Sequence, residues 1–291
     1  MCFKIAVASG KGGTGKTTVS VSLFKFLSEK LENSVTLVDC DVEEPNTPFF
    51  FGDAKLLKKE NINQLIPSID IDRCTFCKKC VEYCEFNAIS IIPSVKYAQI
   101  DASLCHSCGA CSVACEYEAI TEHPSAIGKL YNYSTSFGSG LTVGKLKVGS
   151  AMQTLVVGKT KASVTTSPKL ILFDSPPGTS CPVVETIADT DYVVLVTEPT
   201  PFGFHDIKLM IELVENLNIP FGVIINKAGM GNHQVHDFLI QRNIELLGEI
   251  PFLKSYATNY SNGELFENIP VEIERTFQII ANRLVQIMKN S

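Results

Sequence analysis

The chain has 291 residues, 45% of them hydrophobic and 19% charged, which bounds it to a soluble-type globular protein with a sizeable core and one large or two modest domains. Its formal net charge of −6 argues against unspecific nucleic-acid binding, which draws on a basic excess. No apolar run approaches the ~20 residues a spanning helix needs, and Met1-Cys2-Phe3-Lys4 leads straight into an apolar strand, so the expected location is the cytoplasm.

The first informative stretch lies ten residues in. An apolar run, Ile5 to Ala8, is followed by Ser9-Gly10-Lys11-Gly12-Gly13-Thr14-Gly15-Lys16-Thr17-Thr18, and then by a helix-like pattern with apolar Val19, Leu23, Phe26 and Leu27. Gly10, Gly15, Lys16 and Thr17 satisfy G-x-x-x-x-G-K-[ST]. The glycines let backbone N–H groups converge on phosphate oxygens at a helix N-terminus, Lys16 reaches the outer phosphates, and the Thr17 hydroxyl binds Mg²⁺. ATP contacts are therefore expected from Gly10 through Thr18.

Lys11 narrows the pattern further. Lys-Gly-Gly-x-Gly-Lys-Thr resembles the deviant phosphate loop of the MinD/ParA/nitrogenase iron protein class of ATPases. The resemblance implies an ATP-dependent homodimer in which Lys11 acts across the interface, with Lys11, Lys16 and Asp41 as the catalytic residues. The next β-branched run, Val35–Val38, ends in Asp39-Cys40-Asp41. Within the resemblance Asp41 matches the switch I aspartate that orients the attacking water, and Asp39 lies nearer the Mg²⁺ shell. Cys40 reads as a small packed residue. Residues 47–67 show no clear periodicity and are expected to pass along the sheet edge, leaving the nucleotide domain near Pro67.

Eight of the eleven cysteines then fall between residues 74 and 115. Cys74-x-x-Cys77-x-x-Cys80-x-x-x-Cys84 recurs 31 residues later as Cys105-x-x-Cys108-x-x-Cys111-x-x-x-Cys115, and the flanking Ile69-Asp70 recurs as Ile100-Asp101. This repeat resembles a bacterial two-cluster ferredoxin. A cubane cluster takes three thiolates from one tight loop and the fourth from the other half. One [4Fe-4S] cluster is thus expected on Cys74, Cys77, Cys80 and Cys115, the other on Cys84, Cys105, Cys108 and Cys111. Zinc is the weaker alternative for any C-x-x-C pair. Glu85 and Glu116 stand where such ferredoxins usually carry proline; a carboxylate turned inward there would lower the cluster potential.

Residues 125–168 read as a return segment of hairpins, with glycines interrupting runs such as Thr154-Leu155-Val156-Val157. Leu170 to Phe173 then lead into Asp174-Ser175-Pro176-Pro177-Gly178, a Walker B-like strand whose Asp174 is expected to hold a water of the Mg²⁺ shell. The Pro-Pro-Gly turn resembles switch II of the same class. Strands are expected at Tyr192–Thr197 and Phe221–Ile225, with a helical pattern over 207–217 between them. The resemblance places adenine recognition on Asn226 and on the loop at Pro251. Cys181 is ambiguous, and His233 and His236 read as a wet helix face. The last helix carries Phe277, Ile280, Leu284 and Ile287 at helical spacing and only Arg275, Arg283 and Lys289 as cations, which favours packing on its own domain over a membrane.

Together these readings give an α/β fold: a doubly wound, mostly parallel P-loop NTPase sheet over residues 1–67 and 125–291, interrupted by a small α+β ferredoxin-like insert over 68–124. The expected cofactors are ATP, Mg²⁺ and two [4Fe-4S] clusters. The expected activity is ATP hydrolysis that couples dimer closure to electron transfer, with an unidentified redox or apo-protein partner. The alternatives are a cluster carrier and a MinD/ParA-like positioning ATPase.

Overall fold

The computed structural model describes residues 2–138, 140–164 and 168–291. Ser139 and residues 165–167, inside the stretch read as a return segment, lie outside the described residues, as does Met1. The chain divides into two compact units, Met1–Glu60 with Leu130–Lys145 and Thr154–Ser291, and Asn61–Lys129 with Leu146–Gln153. The boundaries read at 67/68 and 124/125 therefore fall inside continuous strands, because alternation in a strand carries no mark of where one core ends.

The elements in order are β1 (Phe3–Ala8), α1 (Lys16–Lys30), β2 (Val35–Asp39), β3 (Lys55–Ile69), α2 (Lys79–Glu82), β4 (Ile89–Ile92), β5 (Tyr97–Ile100), α3 (Ala110–Ala114), β6 (Ile120–Ser134) and β7 (Gly140–Leu146). There follow α4 (Gln153–Ala162), β8 (Leu170–Asp174), α5 (Cys181–Ile187), β9 (Tyr192–Thr197), α6 (Pro201–Asn216), β10 (Phe221–Ala228), α7 (Gln234–Gln241), β11 (Leu246–Pro251), α8 (Lys254–Asn262) and α9 (Val271–Asn290).

A nine-stranded sheet runs β11-β10-β9-β1-β8-β2-β7-β6-β3. From β11 to β7 every pairing is parallel. The central strands are near-continuous apolar runs because helices cover both of their faces, and β2, β8 and β9 are buried at every position. Register places the acidic strand ends. Pairing β1 with β8 and β8 with β2 sets Asp174 directly beside Asp39 at the carboxyl ends of adjacent strands.

The last helix buries Ile273, Phe277, Ile280, Ala281 and Leu284, an apolar stripe at helical spacing. It lies against β11 where a side chain on Gly248 would meet Ile280 at 2.8 Å. The Phe277 ring stacks on Phe26 of α1 with centroids 5.7 Å apart.

Two readings need correction, and a third gains detail. The stretch expected to pass along the sheet edge does so, residues 55–69 forming the long edge strand β3; its exposed first half, Lys55–Glu60, gives no alternation to read. Residues 154–157, β-branched and strand-like in sequence, belong to α4. Val156, Val157 and Thr160 are buried together there, and the Thr160 hydroxyl donates back to the Val156 carbonyl at 2.7 Å; packing on one helical face overrides β propensity. The helix read over 207–217 begins at Pro201, since proline suits a first turn whose N–H needs no partner.

The second unit keeps the sequence repeat as a structural one. Its two-stranded antiparallel sheet pairs Ile89 with Ile100. Asp70 N–H donates to the Ala119 carbonyl and Asp101 N–H to the Ala88 carbonyl, both at 2.8 Å, so each half closes the other. Its core joins Cys80, Ile89, Ile91 and Cys111.

Replacing Phe277 with Ala is expected to remove about 3–5 kcal/mol of stability from the first unit. Denaturant titration followed by a probe on α1 checks this, and a midpoint equal to wild type would refute the packing described for α9.

Candidate functional site

The phosphate loop joins β1 to α1. Gly13 and Gly15 hold φ of 80° and 86°, a left-handed conformation that glycine adopts without strain. Gly15 is further constrained because a β-carbon there would lie 2.2 Å from Asn226 Nδ2. The Asn226 amide instead donates to the Thr14 carbonyl at 2.7 Å. The Thr14 hydroxyl oxygen is buried with no hydrogen-bond partner, an orphan that a bound phosphate would satisfy.

Below the loop, Asp174 is fully buried and accepts three hydrogen bonds: from Lys16 Nζ at 2.8 Å, from Thr17 Oγ1 at 2.8 Å and from Ser20 Oγ at 2.7 Å. Burial alone would lower the Lys16 pKa, but Asp174 alongside more than reverses it and keeps the ammonium charged. Asp39 accepts from Thr47 N at 3.1 Å, Thr47 Oγ1 at 2.7 Å and Asp41 N at 3.0 Å. Burial and then the Asp174 charge raise its carboxyl to about 7 despite those bonds. Asp41 is half-buried and raised to about 6, by burial against the pull of Lys16. Gly178 N–H donates to the Ser9 carbonyl at 2.9 Å, which seats the Pro176-Pro177-Gly178 turn beside the phosphate loop.

Lys11 pairs within its own chain. Its ammonium meets Glu198 at 2.6 Å, and Lys227 meets the other oxygen of the same carboxylate at 3.0 Å while also donating to the Gly13 carbonyl at 2.8 Å. Burial pushes the Glu198 carboxyl up, but the two lysine hydrogen bonds outweigh it and hold the group below the ordinary carboxylate value. Pro251 is half-buried at the end of β11, in register with Ala228 beyond Asn226 on β10.

Sequence reasoning missed Ser20, Thr47, Glu198 and Lys227. Ser20 was findable, since it stands one helical turn after Lys16 and so shares its face. Glu198 and Lys227 join the loop only through the order of parallel strands, which no local pattern reveals. Cys40 is buried, as a packed residue would be; Cys181 is exposed at the start of α5. His233 is exposed at the start of α7, and His236 on that helix makes an exposed pair with Glu249.

In the second unit two cavities carry the cysteines. One is lined by Cys74, Cys77, Cys80 and Cys115. The other is lined by Cys84, Cys105, Cys108 and Cys111. Backbone N–H groups point at sulfur in matching places: Phe76 to Cys74 at 3.4 Å and Ser107 to Cys105 at 3.5 Å, then Ala88 to Cys84 and Ala119 to Cys115, both at 3.4 Å. Left-handed residues at matching positions, Phe76 with Ser107 and Lys78 with Gly109, turn each loop around its cavity. Burial and then the neighbouring cysteines push the Cys80 thiol up to about 11. Among the described residues no group of three or more His, Cys, Asp or Glu is arranged to hold one metal ion. Glu85 and Glu116 are both exposed, and Glu116 pairs with Lys79 at 2.6 Å, so neither carboxylate turns inward.

The family profile described as the CobQ/CobB/MinD/ParA nucleotide binding domain matches residues 5–266. An uncharacterised protein of Methanocaldococcus jannaschii is 35% identical over 283 residues, covering 96% of this chain and 98% of that one. The iron–sulfur cluster carrier protein of Aquifex aeolicus is 26% identical over 305 residues, covering 98% of this chain and 68% of its own. In three dimensions the chain is similar to the cell division ATPase MinD of Pyrococcus furiosus, with a TM-score of 0.60, 18% identity and coverage of 99% and 100%.

The two raised carboxyls make nucleotide binding proton-linked. Without ligand the folded protein holds more protons on Asp39 and Asp41 than the unfolded chain does, from about pH 4 to about 7, so its stability falls as pH rises through that window. Binding of Mg-ADP favours the ionised forms and is expected to release protons near pH 6.5 and none at pH 8.5. Calorimetry in buffers of different ionisation enthalpy reads this directly; enthalpies independent of buffer at pH 6.5 would refute it.

Proposed function

The chain belongs to the CobQ/CobB/MinD/ParA nucleotide-binding domain family, and on that premise we propose that it is an ATP-hydrolysing switch coupling a nucleotide-dependent homodimer to electron transfer through two [4Fe-4S] clusters. The observation that carries the redox half is the crossed division of eight cysteines. Each cavity takes three from one loop and the fourth from the other repeat, which is the ligand arithmetic of paired cubanes. The four-fold crowding of thiols and the aimed N–H groups fit them too. When bound, such clusters supply one-electron chemistry, accepting an electron from an external donor and passing it to an external acceptor.

In the nucleotide half, the Thr14 orphan and the Lys16–Asp174–Thr17 constellation fit a Mg²⁺-nucleotide, held by Thr17 and Asp174 with Asp39 behind them. Mg²⁺ held there would offset phosphate charge, and Lys16 would offset the negative charge that grows on the transferred phosphoryl group. Asp41 orients the water, and its raised carboxyl lies near the range useful to a proton acceptor. Lys11 serves the partner copy's nucleotide after leaving Glu198. Asn226 and Pro251 border the base. Coupling follows the chain: β3 leaves the first unit after Asp41, and β6 returns to it before Asp174. Switch movement is therefore applied to both strands that lead to the cysteines. Neither membrane nor nucleic acid enters this reading. No helix among the described residues is long and apolar enough to cross a membrane.

The Aquifex aeolicus relative favours a second reading, an ATPase that carries clusters to apo-proteins. Against it, all eight ligands come from one chain, with Cys80, Cys105 and Cys111 buried although Cys77 and Cys108 are exposed, which suits resident clusters more than a labile one shared between copies.

Anaerobically reconstituted protein is expected to hold about eight iron atoms per chain. Its reduced EPR spectrum or midpoints should differ between Mg-ATP and Mg-ADP, and Lys16→Ala should abolish that difference while keeping the iron. Identical spectra and midpoints in both nucleotides would refute the coupling. Transfer of ⁵⁵Fe to an apo-acceptor without an electron donor would place the carrier reading first.

A further inference from the structure

The two cysteine cavities are built alike in backbone but not in side chains, and one difference is a buried hydroxyl. Ser107 lines the second cavity, and its hydroxyl oxygen is buried with no hydrogen-bond partner. The 31-residue offset puts Phe76, without a polar side-chain atom, at the equivalent place of the first half. A buried hydroxyl without a partner is rare, because leaving it unsatisfied carries the full cost of its desolvation, so one lining this cavity needs an explanation. A sulfur-rich ligand provides it. Position 107 already donates its N–H to Cys105 Sγ, as position 76 does to Cys74 Sγ; only Ser107 has a second donor to add.

Resting on the cluster reading above, we propose that the Ser107 hydroxyl donates to sulfur at the second cluster and makes the Cys84/Cys105/Cys108/Cys111 site the higher in reduction potential. An added electron increases the negative charge on sulfur, so a donor stabilises the reduced form more than the oxidised one. Cluster type and backbone N–H donors are matched between the halves; the lining side chains that differ include Ser107 against Phe76, the exposed pair His106 and Thr75, and the outer charges. The charges oppose the hydroxyl: Lys78 and Lys79 line the first cavity, whereas Gly109 and Ala110 stand in their places and Glu122 lies 3.9 Å from where a Gly109 β-carbon would be. Those groups are exposed, Lys79 is offset by Glu116, and solvent and salt screen them. The Ser107 hydroxyl acts inside protein, where a dipole is weakened far less. Ser107 is thus a positioning and tuning residue, and no bond is made or broken by its action.

Potentiometric EPR titration of the reconstituted full chain tests this, with dithionite as the one-electron reductant. Two resolved midpoints are expected. Ser107→Ala lowers the higher one and leaves the other in place, and Ser107→Gly, which suits the φ of 53° at this position, does the same without backbone strain. Resonance Raman adds a direct signature: Fe–S bands shift in D₂O, and part of that shift disappears in both variants. Lys78→Gln should move the midpoints less than Ser107→Ala does. Two clusters with coincident midpoints, or a higher midpoint and deuterium shift unmoved by both Ser107 variants, would overturn the assignment and leave the cluster reading standing. A chain that takes up no iron would overturn both.

Discussion

The ion pair between Lys16 and Asp174 is the constraint from which the nucleotide unit takes its form. Both groups are buried and 2.8 Å apart, and such a pair stabilises a fold little, because desolvation offsets most of the attraction. Its value lies in position. Asp174 ends the strand between β1 and β2, and Lys16 opens the helix that β1 feeds, so the contact ties the loop to the middle of the sheet. Thr17 and Ser20 complete the carboxylate's hydrogen bonds. The result is a lysine held charged beneath a loop of left-handed glycines.

That arrangement explains the strained electrostatics around it. Parallel register brings Asp39 beside Asp174, and two buried carboxylates with one nearby lysine cannot both ionise at low cost. The Asp39 carboxyl is raised, although Thr47 supplies two hydrogen bonds to it. A site of this kind is short of positive charge before its ligand arrives. The Lys11–Glu198–Lys227 group is the counterpart on the other rim: one carboxylate holds two lysines away from full exposure. The cysteine unit shows the same economy in neutral terms, with paired N–H donors set around each sulfur quartet.

Much of the site was legible because its chemistry is local. Gly10 to Thr18 must be contiguous for successive N–H groups to converge on phosphate. The cysteine spacings are set by a loop that winds around its own cavity, and the 31-residue repeat exposed the pairing of halves. The central strands β1, β2, β8 and β9 were legible as apolar runs. Residues 154–157 were misread, because β-branched residues on a buried helical face look like a strand when the partner surface is unknown. β3 was read as running along the sheet edge but not as a strand, since its exposed half carries lysines and glutamate where alternation would be sought.

Sequence by itself determined the chemistry within a few residues of a motif: the phosphate loop, the acidic strand ends and the two cysteine ladders, each dictated by ligand geometry acting over one turn or loop. Tertiary structure decided what distant segments do to each other. Strand order brought Glu198 and Lys227 to Lys11, register raised the Asp39 carboxyl, and α9 found its seat on α1 and β11. Only folding buried the hydroxyl of Ser107 while leaving it without a partner. These effects come from burial and through-space charge, which depend on neighbours far away along the chain and so leave no local trace in the order of residues.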